Sequence, residues 1–384
     1  MTTLLGGLWV LSGLYLLVCL VFSWRAMPRL PQAVPSRRKW PLISICVPAR
    51  NEEKRLAPLL TSLSRLDYPR YEVLVLDDES GDNTAGLVRE FAGRSSRIRL
   101  LKGKPLPSGW RGKTWACHRL SLQARGEWIL FVDADTWFGP EILKRCLQAA
   151  ERSRADVLSL IPHEVVGTWL ERLVIPTLVF CLTGFVPMRL ALRRGSPLYR
   201  YMGVNGQFAF FRADAYRSFG GHRSVAHEIV DDIQIGRAAV RAGLQLSFFN
   251  GTDEAACRMY TNAREVREGF AKNMMPFFRF GVAWTTLGLG FLFLVGVAPF
   301  IALAMGSAAG VLFLPALLLV LAQWAVRLDQ ARQYRMPALS ALLHPFGCLA
   351  FGLIGLNSIY WYAVKKKGWW RGRELRIGAG GKHA

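Results

Sequence analysis

The stretch WILFVDADTWFGPE, residues 128 to 141, decides how this chain is read. An almost unbroken apolar run, Trp128 to Val132, ends in Asp133-Ala134-Asp135. Carboxylates set against a packed core are costly unless a partner offsets the cost. A buried strand that ends in two of them, one residue apart, asks for such a partner at its end. Alternation along a strand puts Asp133 and Asp135 on one side and turns Ala134 away.

The flanking sequence supplies the sheet. LISICV (42–47), YEVLVLD (71–77), RIRLLKG (97–103) and WILFVD (128–133) read as strands. Between them Glu53 to Leu66, Asp82 to Phe91 and Lys113 to Gln123 have helical spacing. Val-, Ile- and Leu-rich strands alternating with helices predict an α/β domain with a parallel sheet covered on both faces. Ligands bind such sheets beyond the carboxyl ends of the strands. Three of those ends are polar and acidic: PARNEE (48–53), DDESGDNT (77–84) and DAD (133–135). Singly, each has a plain explanation as a turn, a helix cap or a chance Asp-x-Asp. Together on one sheet edge they suit a hard divalent cation, Mg²⁺ or Mn²⁺. Such an ion takes one or two carboxylates plus phosphate oxygens and can neutralise a leaving diphosphate.

Composition adds a membrane. Of 384 residues 52% are apolar, yet the formal charge is +22. That pairing suggests membrane helices whose soluble parts face an anionic surface. Nucleic acid is the rival partner for such a charge, and it is set aside because no recognition motif accompanies the charge. The seven cysteines contain no C-x-x-C pair, so neither a zinc site nor a disulfide framework is indicated. Free buried thiols in a reducing compartment are expected.

Leu4 to Trp24 carries no charge and is long enough to span, since a span needs ~20 residues. It lacks a basic n-region and an A-x-A site, which favours an anchor over a cleaved signal. Arg25, Arg29, Arg37, Arg38 and Lys39 follow it, which by the positive-inside rule puts the next domain in the cytoplasm. Later apolar runs are Gly281 to Met305, Ala308 to Val326 and Ala338 to Val364. Three spans from the cytoplasm would leave the tail outside, although it carries Lys365, Lys366, Lys367, Arg371, Arg373 and Arg376. Either one run is re-entrant or interfacial, with the last the candidate because His344-Pro345 interrupts it, or the charge rule is broken. The expected organisation is an anchor and basic linker (1–40), a catalytic domain (41–280), membrane helices (281–364) and a basic tail (365–384).

PARNEE, DDESGDNT and DAD at this spacing resemble glycosyltransferase family 2 with its GT-A fold, over Leu42 to Phe280. The resemblance implies a Rossmann-like GT-A domain with N- and C-terminal transmembrane helices. It also implies a nucleotide-sugar donor, usually a UDP-sugar, and inversion at the anomeric carbon. Residue by residue, it implies that Pro48, Asn51 and Glu52 line the nucleotide pocket and that Asp78 contacts the base. Asp133 would lie by the ribose and diphosphate, and Asp135 would hold the metal. Lys113, in GWRGKTWA (109–116), would sit near the diphosphate; the plain alternative is a helix-start lysine. The family's general base comes from a Glu-Asp pair opening a helix. Here EIVDDIQIGRAAVRAG (228–243) offers Asp231 in place of the Glu and Asp232 as the base. Both aspartates would also favour a helix N-terminus.

No Q-x-x-R-W motif follows, which argues for single transfer over processive synthesis. CRMYTNAREVREGFAKNMMPFFRF (257–280), GWRGKTWA and the C-terminal HPFG, LNS and WWRGRE are most similar to bacterial membrane members linked to hopanoid and carotenoid pathways. Trp169 to Leu192 is apolar, broken by Pro176 and Pro187 and flanked by arginines. It reads as a helix at the membrane interface, or else as a core helix or subunit contact. Asp231, Trp169 and Arg258 are assigned to the acceptor region. Phe277, Phe278 and Phe280 mark a membrane entrance or the start of a span. His163 and His227 read as polar pocket or loop residues, not metal ligands. The expected activity moves one hexose, glucose from UDP-glucose, to a hydroxyl of a membrane lipid such as a carotenoid, hopanoid or other isoprenoid or glycolipid. It would act at the cytoplasmic face of a bacterial inner membrane. A polyisoprenyl-phosphate acceptor, a non-catalytic scaffold and a membrane-associated nucleic-acid binder are the rivals.

Overall fold

The computed structural model describes residues 2–32, 38–277, 281–370 and 373–376. Arg37, Phe278, Phe280, Arg371 and the last part of the basic tail, 377–384, lie outside them. The chain divides into two compact units. One is Met27–Val165 with Leu190–Met259; the other is Met1–Ala26, Val166–Arg189 and Tyr260–Ala384. Most of the segment 169–192 therefore groups with the apolar helices.

The first unit is built on strands β1 (Ile43–Ala49), β2 (Tyr71–Asp77), β3 (Ile98–Lys102), β4 (Trp128–Phe131), β5 (Thr136–Phe138), β6 (Val157–Ile161), β7 (His163–Glu164), β8 (Ala209–Arg212), β9 (Leu246–Asn250) and β10 (Ala255–Cys257). Seven of them form one sheet in the order β3-β2-β1-β4-β8-β6-β9, and β5-β10-β7 form a small second sheet. Successive residues of each strand enter different cores. Ile43, Ile45, Val47, Val73, Val75 and Leu130 pack with Leu59, Leu60, Leu143 and Leu147 from the helices Leu56–Ser64 and Ile142–Arg152. Cys46, Leu74, Leu76, Ile129 and Phe131 pack on the other face with Ala116, Leu120, Ile235 and Ala239. Two covered faces explain why these strands are apolar throughout instead of alternating.

The sheet is mixed, where the strand pattern predicted parallel. β3, β2, β1 and β4 are parallel. β8 runs antiparallel to both β4 and β6, and β9 is parallel to β6. The register explains why: Phe131, the last residue of β4, pairs with Ala209, the first of β8. The chain before β8 must therefore cross the carboxyl end of β4, and it enters the sheet from that side. This places residues 203–208 beside the acidic strand end.

Among the described residues of the second unit, four helices are long and apolar enough to cross a membrane: Thr2–Ser23, Gly281–Ala304, Gly306–Gln333 and His344–Lys365. Apolar side chains such as Leu4, Leu11, Val21, Leu287, Leu314 and Leu353 are exposed on them. Polar groups turn inward. The Trp9 indole donates to the Leu294 carbonyl at 2.9 Å, and the Gln330 amide donates to the Thr183 hydroxyl at 2.8 Å. The Arg327 guanidinium donates to the carbonyls of Pro176 and Ser340. Apolar side chains outside and polar groups turned inward is the pattern hydrocarbon demands. The run Ala338 to Val364 is interrupted at His344-Pro345, as its sequence indicates: a short helix, Leu339–Leu342, ends at Leu343, and His344-Pro345 opens the last of these helices. Proline is tolerated in a first turn because its missing N–H would have no helical partner there.

One close contact fixes the helix Asp231–Arg241 against the crossing segment. A Cβ on Gly236 would lie 2.5 Å from Gly203 C and Val204 N, and one on Gly203 would lie 2.4 Å from Ile233 Cα. Backbone meets backbone here, so no side chain can give way. Gly236→Ala is therefore expected to cost about 1–3 kcal/mol by overpacking. Gly93→Ala, in a helix with nothing within 4 Å of its Cβ, should be neutral or stabilising by up to about 1 kcal/mol. Thermal melts of both variants in detergent decide it: equal melting temperatures would refute the packing argument.

Candidate active site

The ends of β1 and β2 are interleaved by side chain–backbone hydrogen bonds. The Asn51 N–H donates to Ser80 Oγ at 3.0 Å, and the Gly81 N–H donates to Asn51 Oδ1 at 2.8 Å. The Glu52 N–H donates to Thr84 Oγ1 at 2.8 Å. Arg50 reaches the Asp78 carbonyl and lies 3.8 Å from its carboxylate. Asn51 and Glu79 take left-handed backbone at φ 53° and 57°. Asp78 is 5% exposed. Asn51, Glu52 and Asp78, all expected at the donor site, are thus held in one rigid corner.

Asp133 and Asp135 lie past the end of β4, in the turn that leads into β5. The Ala134 side chain is buried, as expected, but a turn and not strand alternation puts it there. Cys257 Sγ donates to Asp135 Oδ1 at 3.4 Å, and the Arg258 N–H donates to the Asp135 carbonyl at 3.1 Å. Arg258 is therefore brought to the acidic turn. Trp169, also assigned to the acceptor region, lies in the other unit.

Lys113 sits in the first turn of the helix Gly112–Gln123 and places Nζ 2.7 Å from Asp133 Oδ1. Burial by itself would lower this lysine. The carboxylates of Asp133, Asp231 and Asp232 outweigh it and hold the ammonium well above its ordinary value. Asp231 and Asp232 open the helix Asp231–Arg241. Asp232 Oδ1 accepts the Ile233 N–H at 2.8 Å, and Oδ2 accepts the Gly206 N–H at 3.3 Å. Burial, then the Asp231 charge, push Asp232 up to about 6 against the pull of Lys113. Gly206 separates the two partners: a Cβ there would lie 3.2 Å from Asp232 Oδ2 and 3.3 Å from Lys113 Nζ. Pro48, Lys113, Asp133, Asp231 and Asp232 line one cavity together with Gly206 and His222.

Sequence reasoning missed Gly206 and His222. Neither belongs to a spaced polar pattern, and both reach the cavity through the long-range pairing of β8 and the turn before residue 231. His227 is an exposed loop residue 3.6 Å from Glu228, away from the cavity wall. All seven cysteines are free thiols.

The donor chemistry fits a hard divalent cation: oxygen ligands only, with three carboxylates around one ammonium. Among the described residues no three His, Cys, Asp or Glu side chains form a closed metal cage.

Comparison with known proteins bears on the family and the fold. Residues 44–219 match the model of glycosyl transferase family 2, from β1 through the helix Ala213–Ser218; the match stops before Asp231. A 4,4'-diaponeurosporenoate glycosyltransferase of Staphylococcus haemolyticus is 29% identical over 238 residues, 60% of each chain. Its counterpart in Staphylococcus aureus (strain USA300) is 28% identical over 241 residues, again 60% of each. The aligned region thus spans about 60% of the length of these curated relatives. A mannosyltransferase from Pyrobaculum calidifontis, solved with GDP-Man and Mn²⁺, is 17% identical. It aligns over 93% of this chain and 99% of its own, with a TM-score of 0.54, a likeness of fold. The likeness to glycosyl transferase family 2 thus lies in residues 44–219, which carry a mixed sheet of the GT-A type.

Proposed function

We propose that this protein transfers a single hexose, glucose from UDP-glucose, to a hydroxyl of a membrane lipid of the carotenoid or other isoprenoid class, with inversion. The observation that carries the reading is the partly buried Asp232 carboxylate beside the Lys113–Asp133 ion pair at the sheet edge. The relatives' name supports a carotenoid acceptor. The four apolar helices support a lipid one, and Arg25, Arg29, Arg38 and Lys39 after the first of them support a cytoplasmic catalytic domain.

Asp232 accepts the acceptor's hydroxyl proton as the new C–O bond forms at the anomeric carbon. The bond from that carbon to the diphosphate breaks on the opposite side. Two backbone N–H groups hold the Asp232 carboxylate in place, so little reorganisation accompanies the proton transfer. Lys113 places its ammonium against the negative charge that grows on the departing diphosphate. Asp135, with Asp133 next to it, would hold Mg²⁺ or Mn²⁺, which when bound supplies Lewis-acid charge to the same diphosphate. Asn51, Glu52 and Asp78 form the nucleoside end of the site.

A second reading has one observation behind it. The relatives are named for a carboxylate, so the acceptor could arrive as an anion. A polyisoprenyl phosphate would do the same. No proton would then need removing, and Asp232 would matter little for rate.

Incubating membranes with labelled UDP-sugars and separating the lipid extract tests the reading directly; no labelled lipid with any sugar would sink it. Asp232→Asn should lower turnover about 10²–10⁴-fold while nucleotide binding survives. A loss below tenfold favours the anionic acceptor. Only the ionised carboxylate takes a proton, so kcat/KM should fall as pH drops through about 6, and that limb should be missing in the variant. Asp135→Ala should abolish the Mn²⁺ dependence of UDP binding in a calorimetric titration. Lys113→Met removes the group that pulls Asp232 down. A carboxyl raised above its unfolded value costs stability once pH exceeds that unfolded value, and the full cost is reached above its folded one. The melting temperature of Lys113→Met should therefore fall further below the parent's at pH 8 than at pH 5, and an equal deficit would count against the charge cluster.

A further inference from the structure

We propose that His222 is a donor-binding residue of the cavity, its Nε2 donating a hydrogen bond to the diphosphate of the nucleotide sugar. The proposal rests on the glycosyl-transfer reading above and adds a residue to it that no motif supplied.

His222 is 4% exposed and shares the cavity wall with Lys113, Asp133, Asp231 and Asp232. Its ring packs edge-on against Phe131, the last residue of β4, with centroids 4.6 Å apart. Nδ1 lies 2.8 Å from the Tyr216 hydroxyl, and that hydroxyl oxygen also accepts the His222 backbone N–H at 3.0 Å. Both tautomers of the uncharged ring are compatible with these contacts, and an anion at Nε2 selects the one in which the Tyr216 hydroxyl donates to Nδ1. The proton of the uncharged ring is then on Nε2. Nε2 has no hydrogen-bond partner among the described residues, while the ring borders the cavity.

The local chain is built for this contact. Gly220 and Gly221 take left-handed backbone at φ 85° and 52°. A Cβ on Gly221 would fall 2.2 Å from Tyr216 Cζ. Only a glycine there lets Tyr216, 3% exposed on the helix Ala213–Ser218, reach the imidazole. The ring does not act as a cation or a base. Burial, then the charge of Lys113, press it down to about 3. An uncharged N–H donor beside an ammonium matches an anionic oxygen. The cavity's own carboxylates do not take the Nε2 proton in this arrangement. The diphosphate is the part of the donor that brings new acceptor oxygens next to Lys113.

The test is calorimetric binding of UDP, GDP and uridine to the detergent-solubilised full chain. His222→Phe should weaken the binding of the preferred diphosphate about tenfold or more and leave uridine unchanged. His222→Gln, whose amide nitrogen reaches the Nε2 position, should recover most of the loss. His222→Asn, whose amide reaches only the Nδ1 position, should not. Diphosphate affinity of His222→Phe within twofold of the parent, or equal losses for uridine and diphosphate, would overturn the proposal. If His222→Phe does not fold, equal diphosphate affinity of the Gln and Asn variants overturns it instead. A parent chain that binds neither UDP nor GDP overturns the glycosyl-transfer reading first and this proposal with it.

Discussion

The Lys113–Asp133 ion pair is the constraint on which the site depends. Three carboxylates converge on one ammonium, from the β4–β5 turn and from the start of the helix Asp231–Arg241. Like charges gathered in a partly buried place repel, and a single counter-charge offsets only part of that cost. Everything around the pair serves to hold the groups at that distance. β8 must run antiparallel so that the chain before it can cross the end of β4. Gly206 lies in the gap between Lys113 and Asp232, where an added Cβ would press on both at 3.2–3.3 Å. Gly203 and Gly236 must lack side chains so that the helix carrying both aspartates can come down onto the crossing segment.

The acidic run DDESGDNT shows how labour divides within one motif. Asp82 does the work of a cap: its Oδ1 accepts the Thr84 N–H at 3.0 Å. Ser80 and Thr84 accept N–H groups from the end of β1. Gly103 donates its N–H to the Asp77 carbonyl at 2.8 Å, tying β3 to the same corner. Asp78 alone is left buried beside Arg50. The plain reading of this stretch as a turn and helix start holds for Ser80, Asp82 and Thr84. The left-handed backbone at Asn51 and Glu79 is maintained by these same bonds.

What was legible in the sequence was whatever depends on local periodicity. β2 runs from Tyr71 to Asp77 as its pattern predicts, and β1, β3 and β4 differ from theirs by a residue or two at an end. The acidic strand ends were legible because a polar cluster after an apolar run is itself a local signal. The direction of β8 was not, because a four-residue strand says nothing of which way it runs. The break at His344-Pro345 was legible because proline suits a helix's first turn and not its interior: one helix ends at Leu342 and the next begins at His344. His222 escaped notice because a lone histidine has no partner at a diagnostic spacing. Its partner, Tyr216, is six residues earlier and reaches it only through the Gly220-Gly221 turn.

A count of acidic residues near the DAD turn overstates the negative charge there, because burial grades them. Glu164, on β7 in the small sheet with β5 and β10, is 7% exposed. Its Oε1 accepts the Gln207 amide at 2.8 Å, while Oε2 has no partner. Burial, then the charges of Asp135 and Asp133, push it up to about 8 against that hydrogen bond. At neutral pH it carries a proton and adds a dipole beside Asp135, not a charge. Asp232, at about 6, is mostly ionised at the same pH. The two carboxyls belong to one acidic neighbourhood, and their surroundings set them on opposite sides of neutrality. Separation of that kind lets one carboxyl accept a proton while another keeps its own. Burial raises both, and the Lys113 ammonium pulls back only Asp232, a neighbour that no spacing of residues along the chain encodes.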